Sequence, residues 1–176
     1  MRPGTLTWLR GENGSGKTTL LRTLAGLTRP AEGELRRHAQ AAKPLYIGHQ
    51  LALKDDLNAR HALKFLLELR GIRPADTSIN EALDRLGVRR AADRAVRTLS
   101  QGQQRRIALC RLLLEAATPL WLLDEPLDAL DQQGVALVQQ LMRQHVAAGG
   151  TVMLTSHIPL DTAGVPAGIL DLGDLA

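Results

Sequence analysis

Short apolar runs alternate with helical patterns along this chain. Polar and apolar residues alternate over 5–10, and four consecutive apolar residues fill 120–123. A run that is apolar on both faces is typical of a central strand covered on both sides of a parallel sheet. Further short strands are predicted at 45–48, 151–155 and 168–172. Strands that alternate with helices in this way predict an α/β domain with a mainly parallel sheet.

The helical patterns have recognisable ends. Residues 17–25 form a predicted helix that Gly26 stops. From 57 to 96 the pattern is helical throughout, with two helices ended by Gly71 and Gly87. We interpret this stretch as a helical lobe inserted into the α/β core. The expected organisation is one domain, with a core formed by 1–52 and 98–176 and a helical subdomain formed by 53–97.

Composition is that of an ordinary globular protein. The 176 residues are 44% hydrophobic and 23% charged, which suits one domain with its own core. The single cysteine, Cys110, excludes an intrachain disulfide and favours a reducing compartment. Residues 1–4 lead straight into a strand, so no signal peptide is expected. No apolar run approaches the ~20 residues of a spanning helix, so we expect no direct membrane insertion.

The net charge of +4 comes mainly from arginine. Arginines cluster at 36–37, 89–97 and 105–106. Such clusters can contact nucleic-acid phosphates, so a nucleic-acid partner is one interpretation. A solvated surface is the interpretation that we favour, because no aromatic residue interleaves the clusters to stack on bases. We therefore expect no nucleic acid among the partners.

The glycine-rich segment between the first strand and the first helix is a candidate phosphate site. Residues 11–18 (GENGSGKT) match G-x-x-x-x-G-K-[ST] in the strand–loop–helix context that this motif needs. Its glycines let N–H groups point at phosphate oxygens, and the helix N-terminus adds partial positive charge. Lys17 is expected to neutralise the β- and γ-phosphates, and Thr18 to complete a Mg²⁺ shell. The residues expected to bind a nucleoside triphosphate are Gly11, Glu12, Asn13, Gly14, Ser15, Gly16, Lys17, Thr18 and Thr19.

A second candidate follows the apolar run at 120–123. Asp124 and Glu125 come directly after it, at the carboxyl end of a strand, where ligands bind in open α/β sheets. Asp124 is expected to hold Mg²⁺, which prefers oxygen ligands and retains water. Glu125 is expected to polarise the water that attacks the γ-phosphate. An acidic pair alone indicates only a solvated loop, and the upstream phosphate loop is what favours the catalytic interpretation.

Residues 98–106 (TLSQGQQRR) carry a third pattern. Ser100 is a good helix N-cap, and Gly102 allows close approach of an anion. Alone, this predicts only a capped helix. Shortly before the acidic strand, however, LSxGQ at 99–103 resembles the signature loop of ABC-type ATPases. The resemblance implies an α/β P-loop NTPase fold, with a RecA-like ABC ATPase core and an inserted helical lobe.

The resemblance assigns further residues across the chain. Gln50 is similar in position to the Q-loop glutamine that senses Mg²⁺ and the attacking water. Asp131 lies in a run similar to the D-loop, which crosses the dimer interface. His157 matches the switch histidine that contacts the γ-phosphate. The implied cofactors are ATP and Mg²⁺, and the residues implied at the metal are Thr18, Gln50 and Asp124.

The family also implies a quaternary arrangement. Its subunits pair head to tail, and each ATP lies between the phosphate loop of one subunit and the signature loop of the other. Ser100, Gly102 and Gln103 are therefore expected to act in the partner's site. The resemblance implies a homodimer bound to transmembrane ABC subunits through the lobe around 50–70. It also implies a peripheral location at the cytoplasmic face of the inner membrane.

Two features depart from the family pattern. Gln101 stands where most members have glycine, which could alter packing against the γ-phosphate. ABC ATPases begin with an antiparallel strand pair whose aromatic residue stacks on adenine, and this pair is missing before Gly11. Trp8 lies too close to the loop to replace that aromatic residue, and a lost stack would cost ~1–3 kcal/mol. We interpret the start as truncated, with a natural short form as the alternative.

Spacer residues narrow the resemblance. The runs at 46–50 (YIGHQ) and 120–134 are similar to the ATP-binding subunit of the bacterial haem exporter of cytochrome c maturation. The implied function is ATP hydrolysis that drives haem export or handover. Another ABC transporter would share every catalytic residue, so it stays an alternative. A DNA-maintenance ABC ATPase is less favoured because no heptad run is present, and an inactive truncated remnant is a third alternative.

Overall fold

The structure is a computed structural model that describes residues 2–36 and 42–173. Strands and helices alternate along it as the sequence predicts. The strands are β1 (Leu6–Arg10), β2 (Leu45–Ile47), β3 (Leu120–Leu123), β4 (Thr151–Leu154) and β5 (Ala167–Asp171). The α-helices are α1 (Lys17–Ala25), α2 (Ala59–Glu68), α3 (Asp76–Arg85), α4 (Gln101–Leu109), α5 (Arg111–Leu114) and α6 (Gln132–Ala147), with 3₁₀ turns at Arg89–Ala91 and Val96–Thr98.

The strands form one sheet in the order β2-β3-β4-β1-β5, and each of these pairings is parallel. β3 and β4 pair in register from Leu120 with Thr151 to Leu123 with Leu154. Both strands are largely buried, so the prediction of a central strand at 120–123 is confirmed. Because the strands are parallel, the carboxyl ends of β1, β3 and β4 lie along one edge of the sheet, where ligands bind in such folds.

The helix ends follow from local chemistry. α1 ends at Gly26, whose φ of 77° lies in the left-handed region that favours glycine. Asn58 caps α2 by accepting a hydrogen bond from the His61 N–H at 2.9 Å. Ser100 caps α4 and forms a reciprocal capping box with Gln103, which confirms the predicted N-cap. Within residues 2–36 and 42–173, no helix is both long and apolar enough to cross a bilayer.

The chain divides into two compact units. The first comprises Met1–His49, Ala117–Pro126 and Gln139–Ala176, and the second comprises Gln50–Ala116 and Leu127–Val138. The second unit contains the predicted helical subdomain, 53–97, and extends beyond it at both ends. The difference arises because α4 packs against α2 and α5 packs against α3. Such contacts between distant segments cannot be inferred from periodicity.

The junction of α4 and α5 is deeply buried in the second unit. Cys110 lies there with no exposed surface, its sulfur 3.5 Å from the Ala82 carbonyl. This burial raises the pKa of the Cys110 thiol. Glu115, also buried, accepts a hydrogen bond from Arg111 Nε at 2.6 Å and forms an ion pair with Arg70. Cys110 is therefore a packed core residue of this unit.

Candidate nucleotide site

The loop between β1 and α1 has the backbone of a phosphate loop. Gly16 precedes α1 and has a φ of 92°, a backbone conformation that residues with a side chain rarely adopt. A Cβ on Gly11 would lie 2.6 Å from Ser15 Oγ, so this position also requires glycine. The Ser15 N–H donates to the Glu12 carbonyl at 3.2 Å, which closes a turn inside the loop. The loop conformation thus depends on the glycines that the motif supplies.

Lys17 is anchored on this loop. Its Nζ donates to the carbonyl oxygens of Gly11 and Glu12, each at 2.8 Å. The ammonium group therefore lies beside the N-terminus of α1, where the helix dipole is also positive. An anion in the loop would be attracted by both charges, as predicted for a phosphate site.

Asp124 lies at the carboxyl end of β3 and is held on three sides. Its side chain accepts hydrogen bonds from Thr18 Oγ1 at 2.8 Å and from Thr155 Oγ1 at 2.9 Å. Its backbone N–H donates to the Ile47 carbonyl at 2.8 Å. The residue is almost fully buried. The structure therefore links the predicted acidic residue directly to the phosphate loop through Thr18.

Glu125 adopts a strained backbone conformation, with a φ of 49°. Its N–H donates to Thr155 Oγ1 at 2.8 Å. The His157 N–H donates to Glu125 Oε2 at 3.1 Å, and His157 Nε2 lies 3.5 Å from Oε1. The Glu125 side chain is mostly buried, whereas that of His157 is 68% exposed. These contacts hold the Glu125 carboxylate in place and leave the imidazole of His157 accessible.

A cavity of about 280 Å³ brings most of the predicted residues of the first unit together, whereas Gly11, Glu12 and Ser15 line a neighbouring cavity. The first cavity is lined by Asn13, Gly14, Gly16, Lys17, Thr18, Thr19, Asp124, Glu125 and His157. Thr155, which the motifs in the sequence do not mark, joins the side chain of Asp124 to the backbone of Glu125. A polar residue directly after the apolar strand at 151–154 was the available signal.

The oxygen atoms near Asp124 are typical of a magnesium site that also uses phosphate and water as ligands. They are too few for a site in which protein side chains alone hold the metal. Over residues 2–36 and 42–173, no group of three or more His, Cys, Asp or Glu side chains could hold a metal. Thr18 Oγ1 and Asp124 Oδ2 lie 2.8 Å apart beside the phosphate loop. Mg²⁺ commonly uses one or two protein oxygens together with phosphate and water. The residues present therefore suit Mg²⁺ bound with a nucleotide.

The second unit carries the predicted signature residues. Ser100, Gly102, Gln103 and Asp131 line a cavity of about 490 Å³ within it. A Cβ on Gly102 would lie 2.7 Å from the Ala129 carbonyl oxygen. Glycine at this position therefore also allows close packing against the backbone of Ala129, besides the predicted approach of an anion. The signature loop is thereby packed against the segment that precedes α6.

Asp131 and Gln50 keep their assignments as predictions. Asp131 Oδ1 accepts from the Gly134 N–H and from Arg106 Nη2, each at 2.7 Å. The Gly134 N–H is the principal cause, and Arg106 a further one, of the lowered pKa of the Asp131 carboxyl. Arg106 also donates to the Leu86 carbonyl at 2.8 Å. Gln50 is exposed and begins the second unit.

Comparison with known proteins agrees with this geometry. A family model described as ABC transporter matches residues 1–128. The chain belongs to the ABC transporter family and is an ATP-hydrolysing subunit of an ABC complex. More particularly, it is similar to the cytochrome c biogenesis ATP-binding export protein CcmA. It is 46% identical over 173 residues to CcmA of Methylococcus capsulatus, covering 93% of this chain and 83% of that one. It is 45% identical over 179 residues to CcmA of Pseudomonas putida, covering 96% and 83%.

Solved structures share the fold. An ABC transporter ATP-binding protein of Pyrococcus furiosus superposes with a TM-score of 0.76 at 23% identity, over 97% of this chain and 86% of that one. A dimeric ATP-binding cassette, described as a post-hydrolysis state bound to ADP and Pi, gives a TM-score of 0.75 at 25% identity. That match covers 88% of this chain and 75% of the other. The predicted P-loop NTPase fold is confirmed.

Proposed function

We propose that this chain is the ATPase subunit of a complex that exports or hands over haem during maturation of c-type cytochromes. The observation that carries the ATPase chemistry is the hydrogen-bonded cluster of Thr18, Asp124, Thr155, Glu125 and His157 beside the phosphate loop. The haem assignment is supported by the identity of 45–46% to proteins named for cytochrome c biogenesis and export.

Nucleotide binding is assigned to the loop and Lys17. The N–H groups of the loop and the start of α1 would surround the phosphates, and Lys17 Nζ would exchange its loop carbonyls for phosphate oxygens. Thr18 and Asp124 would hold Mg²⁺. Mg²⁺ held there would neutralise negative charge that develops on the phosphates during transfer.

Glu125 is assigned the activation of water. Its carboxylate would accept a hydrogen bond from the attacking water and take its proton as the water oxygen bonds to the γ-phosphorus, while the bond from that phosphorus to the bridging oxygen breaks and ADP leaves. The His157 N–H holds Oε2 in place, and the Thr155 hydroxyl holds the Glu125 backbone. The exposed imidazole of His157 would then contact the γ-phosphate. The arrangement presents a fixed base at the edge of the cavity.

A second copy of the chain would complete the reaction. In the proposed head-to-tail homodimer, Ser100, Gly102 and Gln103 of each subunit approach the ATP held by the other, with Asp131 at the interface. Gln50 would sense the metal and the attacking water. The dimer would bind transmembrane subunits at the cytoplasmic face of the inner membrane. The support for these assignments is their motif positions and the dimeric cassette of the same fold.

The chemistry is tested by the variant Glu125→Gln, which keeps the shape of the side chain but removes its basicity. ATP affinity should be preserved, turnover should fall by about 10²–10⁴-fold, and a stable dimer should accumulate with Mg-ATP. Size-exclusion chromatography and a phosphate-release assay measure both effects. Normal turnover by this variant would exclude Glu125 as the base.

The cellular role is tested by removing the gene from a bacterium that makes c-type cytochromes. We expect haem-stained cytochrome c bands to disappear, and to return with the native chain but not with Glu125→Gln. Normal cytochrome c in the deletion strain would instead assign the chain to another ABC transporter. The in vitro ATPase assignment would stand in that case.

A further inference from the structure

His157 lies in the loop that follows β4, from Thr155 to Asp161, and different elements hold the two ends of this loop. On the N-terminal side, the Thr155 hydroxyl donates to Asp124 Oδ1 and its N–H donates to the Leu123 carbonyl at 3.0 Å. These bonds fix the start of the loop to the carboxyl end of β3. His157 follows two residues later with a mostly exposed side chain. Its backbone position therefore depends also on what holds the loop beyond it.

Gln139 of α6 holds the other end of this loop. Its Nε2 donates to the Pro159 carbonyl at 2.9 Å, and its Oε1 accepts from the Asp161 N–H at 3.2 Å. Gln139 is only 8% exposed. Both ends of a buried side-chain amide are thus bound to the backbone of one short segment, and this bidentate geometry restricts its position in two directions.

Arg143 reinforces the same contact from the next turn of α6. It is four residues after Gln139, so the two side chains lie on one face of the helix. Arg143 forms an ion pair with the Asp161 carboxylate, and its Nη1 lies 3.4 Å from the Asp161 carbonyl oxygen. Asp161 is therefore held through its N–H by Gln139 and through its side chain by Arg143.

We propose that Gln139 is a positioning residue for ATP hydrolysis, which sets the place of His157 relative to Glu125. The loop is held at Thr155, at the Ser156 carbonyl by Trp8 Nε1 (3.2 Å) and at Pro159, and the His157 N–H meets Glu125 Oε2 at 3.1 Å. Loss of the contact at Pro159 would free the C-terminal side of the loop and let the backbone of His157 move away from the carboxylate and from the γ-phosphate. This inference rests on the proposed function, because it acts through the roles given there to Glu125 and His157.

The next residue of the helix provides a matched control. Gln140 has the same side chain and lies in the same helix, but it is exposed. Gln139→Ala and Gln140→Ala therefore remove the same atoms, and only the first removes the clamp. Gln139→Glu serves as a second variant of nearly the same shape, because it retains an acceptor for the Asp161 N–H but turns a carboxylate oxygen toward the Pro159 carbonyl, which repels it.

We expect Gln139→Ala to lower kcat by about 10- to 100-fold, because small displacements of a catalytic group have effects of this size. ATP affinity should stay within about twofold of the native value. Gln139→Glu should also lower kcat, because the contact with Pro159 becomes repulsive, and Gln140→Ala should match the native chain. Steady-state phosphate release gives kcat, and equilibrium titration with Mg-ATP gives affinity. An unchanged kcat in Gln139→Ala would overturn the inference.

A second measurement separates positioning from general loosening of the fold. In a Glu125→Gln background, Gln139→Ala should lower the remaining turnover no further, because the base that the His157 N–H holds is already gone. An equal further loss in that background would overturn the inference and indicate a purely structural role. If Glu125→Gln alone leaves turnover unchanged, the role of Glu125 in the proposed function fails first, and this inference fails with it.

Discussion

Thr155 and Asp124 are joined by a hydrogen bond of 2.9 Å from the threonine hydroxyl to Asp124 Oδ1, at the carboxyl ends of two adjacent strands. The same hydroxyl accepts the backbone N–H of Glu125 at 2.8 Å. The hydroxyl oxygen of Thr155 therefore positions both the side chain of Asp124, the proposed metal ligand, and the backbone of Glu125, the proposed base. This relationship makes Thr155 a part of the site although its side chain does not line the cavity.

Replacing Thr155 by valine should impair both stability and turnover. The change keeps the shape of the side chain but leaves Asp124 Oδ1 and the Glu125 N–H without their partner. Each unsatisfied buried group costs about 1–3 kcal/mol, and we expect turnover to fall at least about tenfold as the carboxylate shifts. Urea unfolding and phosphate release measure the two effects. Thr155→Ser, which retains the hydroxyl, should restore most of both; equal defects in the two variants would contradict the role of the hydroxyl.

Replacing Lys17 by alanine should weaken binding of ATP. The ammonium group lies on the phosphate loop through Gly11 and Glu12, and a charged hydrogen bond contributes about 1.5–3 kcal/mol. We therefore expect affinity to fall by about 10- to 100-fold or more, measured by isothermal titration with Mg-ATP. Lys54→Ala, at an exposed lysine of the second unit, should have no effect. Unchanged affinity in Lys17→Ala would argue against the phosphate site.

Replacing Gly102 by alanine should disturb the signature surface of the second unit. The added Cβ would lie 2.7 Å from the Ala129 carbonyl oxygen, so the loop before α6 or the start of α4 must move. Overpacking of this kind costs about 1–3 kcal/mol, seen as a lower midpoint in urea unfolding. Gly168 has no atom within 4 Å of an added Cβ, so Gly168→Ala is the control. Equal stability of the two variants would refute the contact.

Stability should decrease in mild acid because of His145. Its ring stacks on Trp121 at 3.8 Å between centroids, and the residue is only 9% exposed. Burial lowers the pKa of His145 below 6.5, while a hydrogen bond to the Pro119 carbonyl partly opposes this shift. The unfolded chain therefore binds a proton first as the pH falls through 6.5. The free energy of unfolding is therefore highest above pH 6.5, and it decreases as the pH falls from 6.5 to the lower pKa of His145 in the folded state.

The measurement is urea unfolding of the native chain and of His145→Phe between pH 8 and pH 5. Phenylalanine keeps an aromatic ring against Trp121 but cannot titrate. The native chain should lose more stability than the variant over the window below pH 6.5. Parallel curves for the two proteins would show that another group governs the acid response.

The features that the sequence predicted are those with local causes. The apolar run at 120–123 becomes β3, and Ser100 caps α4 through the backbone of Gln103, three residues away. The roles of Thr155 and Gln139 depend on partners in distant segments, and the pattern along the chain does not identify those partners. The extent of the second unit was unpredictable for the same reason, since helix-to-helix contacts assign α4 and α5 to it.

Because the thiol at the α4–α5 junction is buried, a cysteine introduced elsewhere in the chain can be labelled selectively. Cys110 is its single cysteine, and burial both shields the sulfur and suppresses the thiolate that reacts with maleimides. A cysteine introduced at an exposed position, such as that of Leu69, would accept a fluorophore with little background from Cys110. Distances between two labelled copies would then test the proposed homodimer in the presence of Mg-ATP.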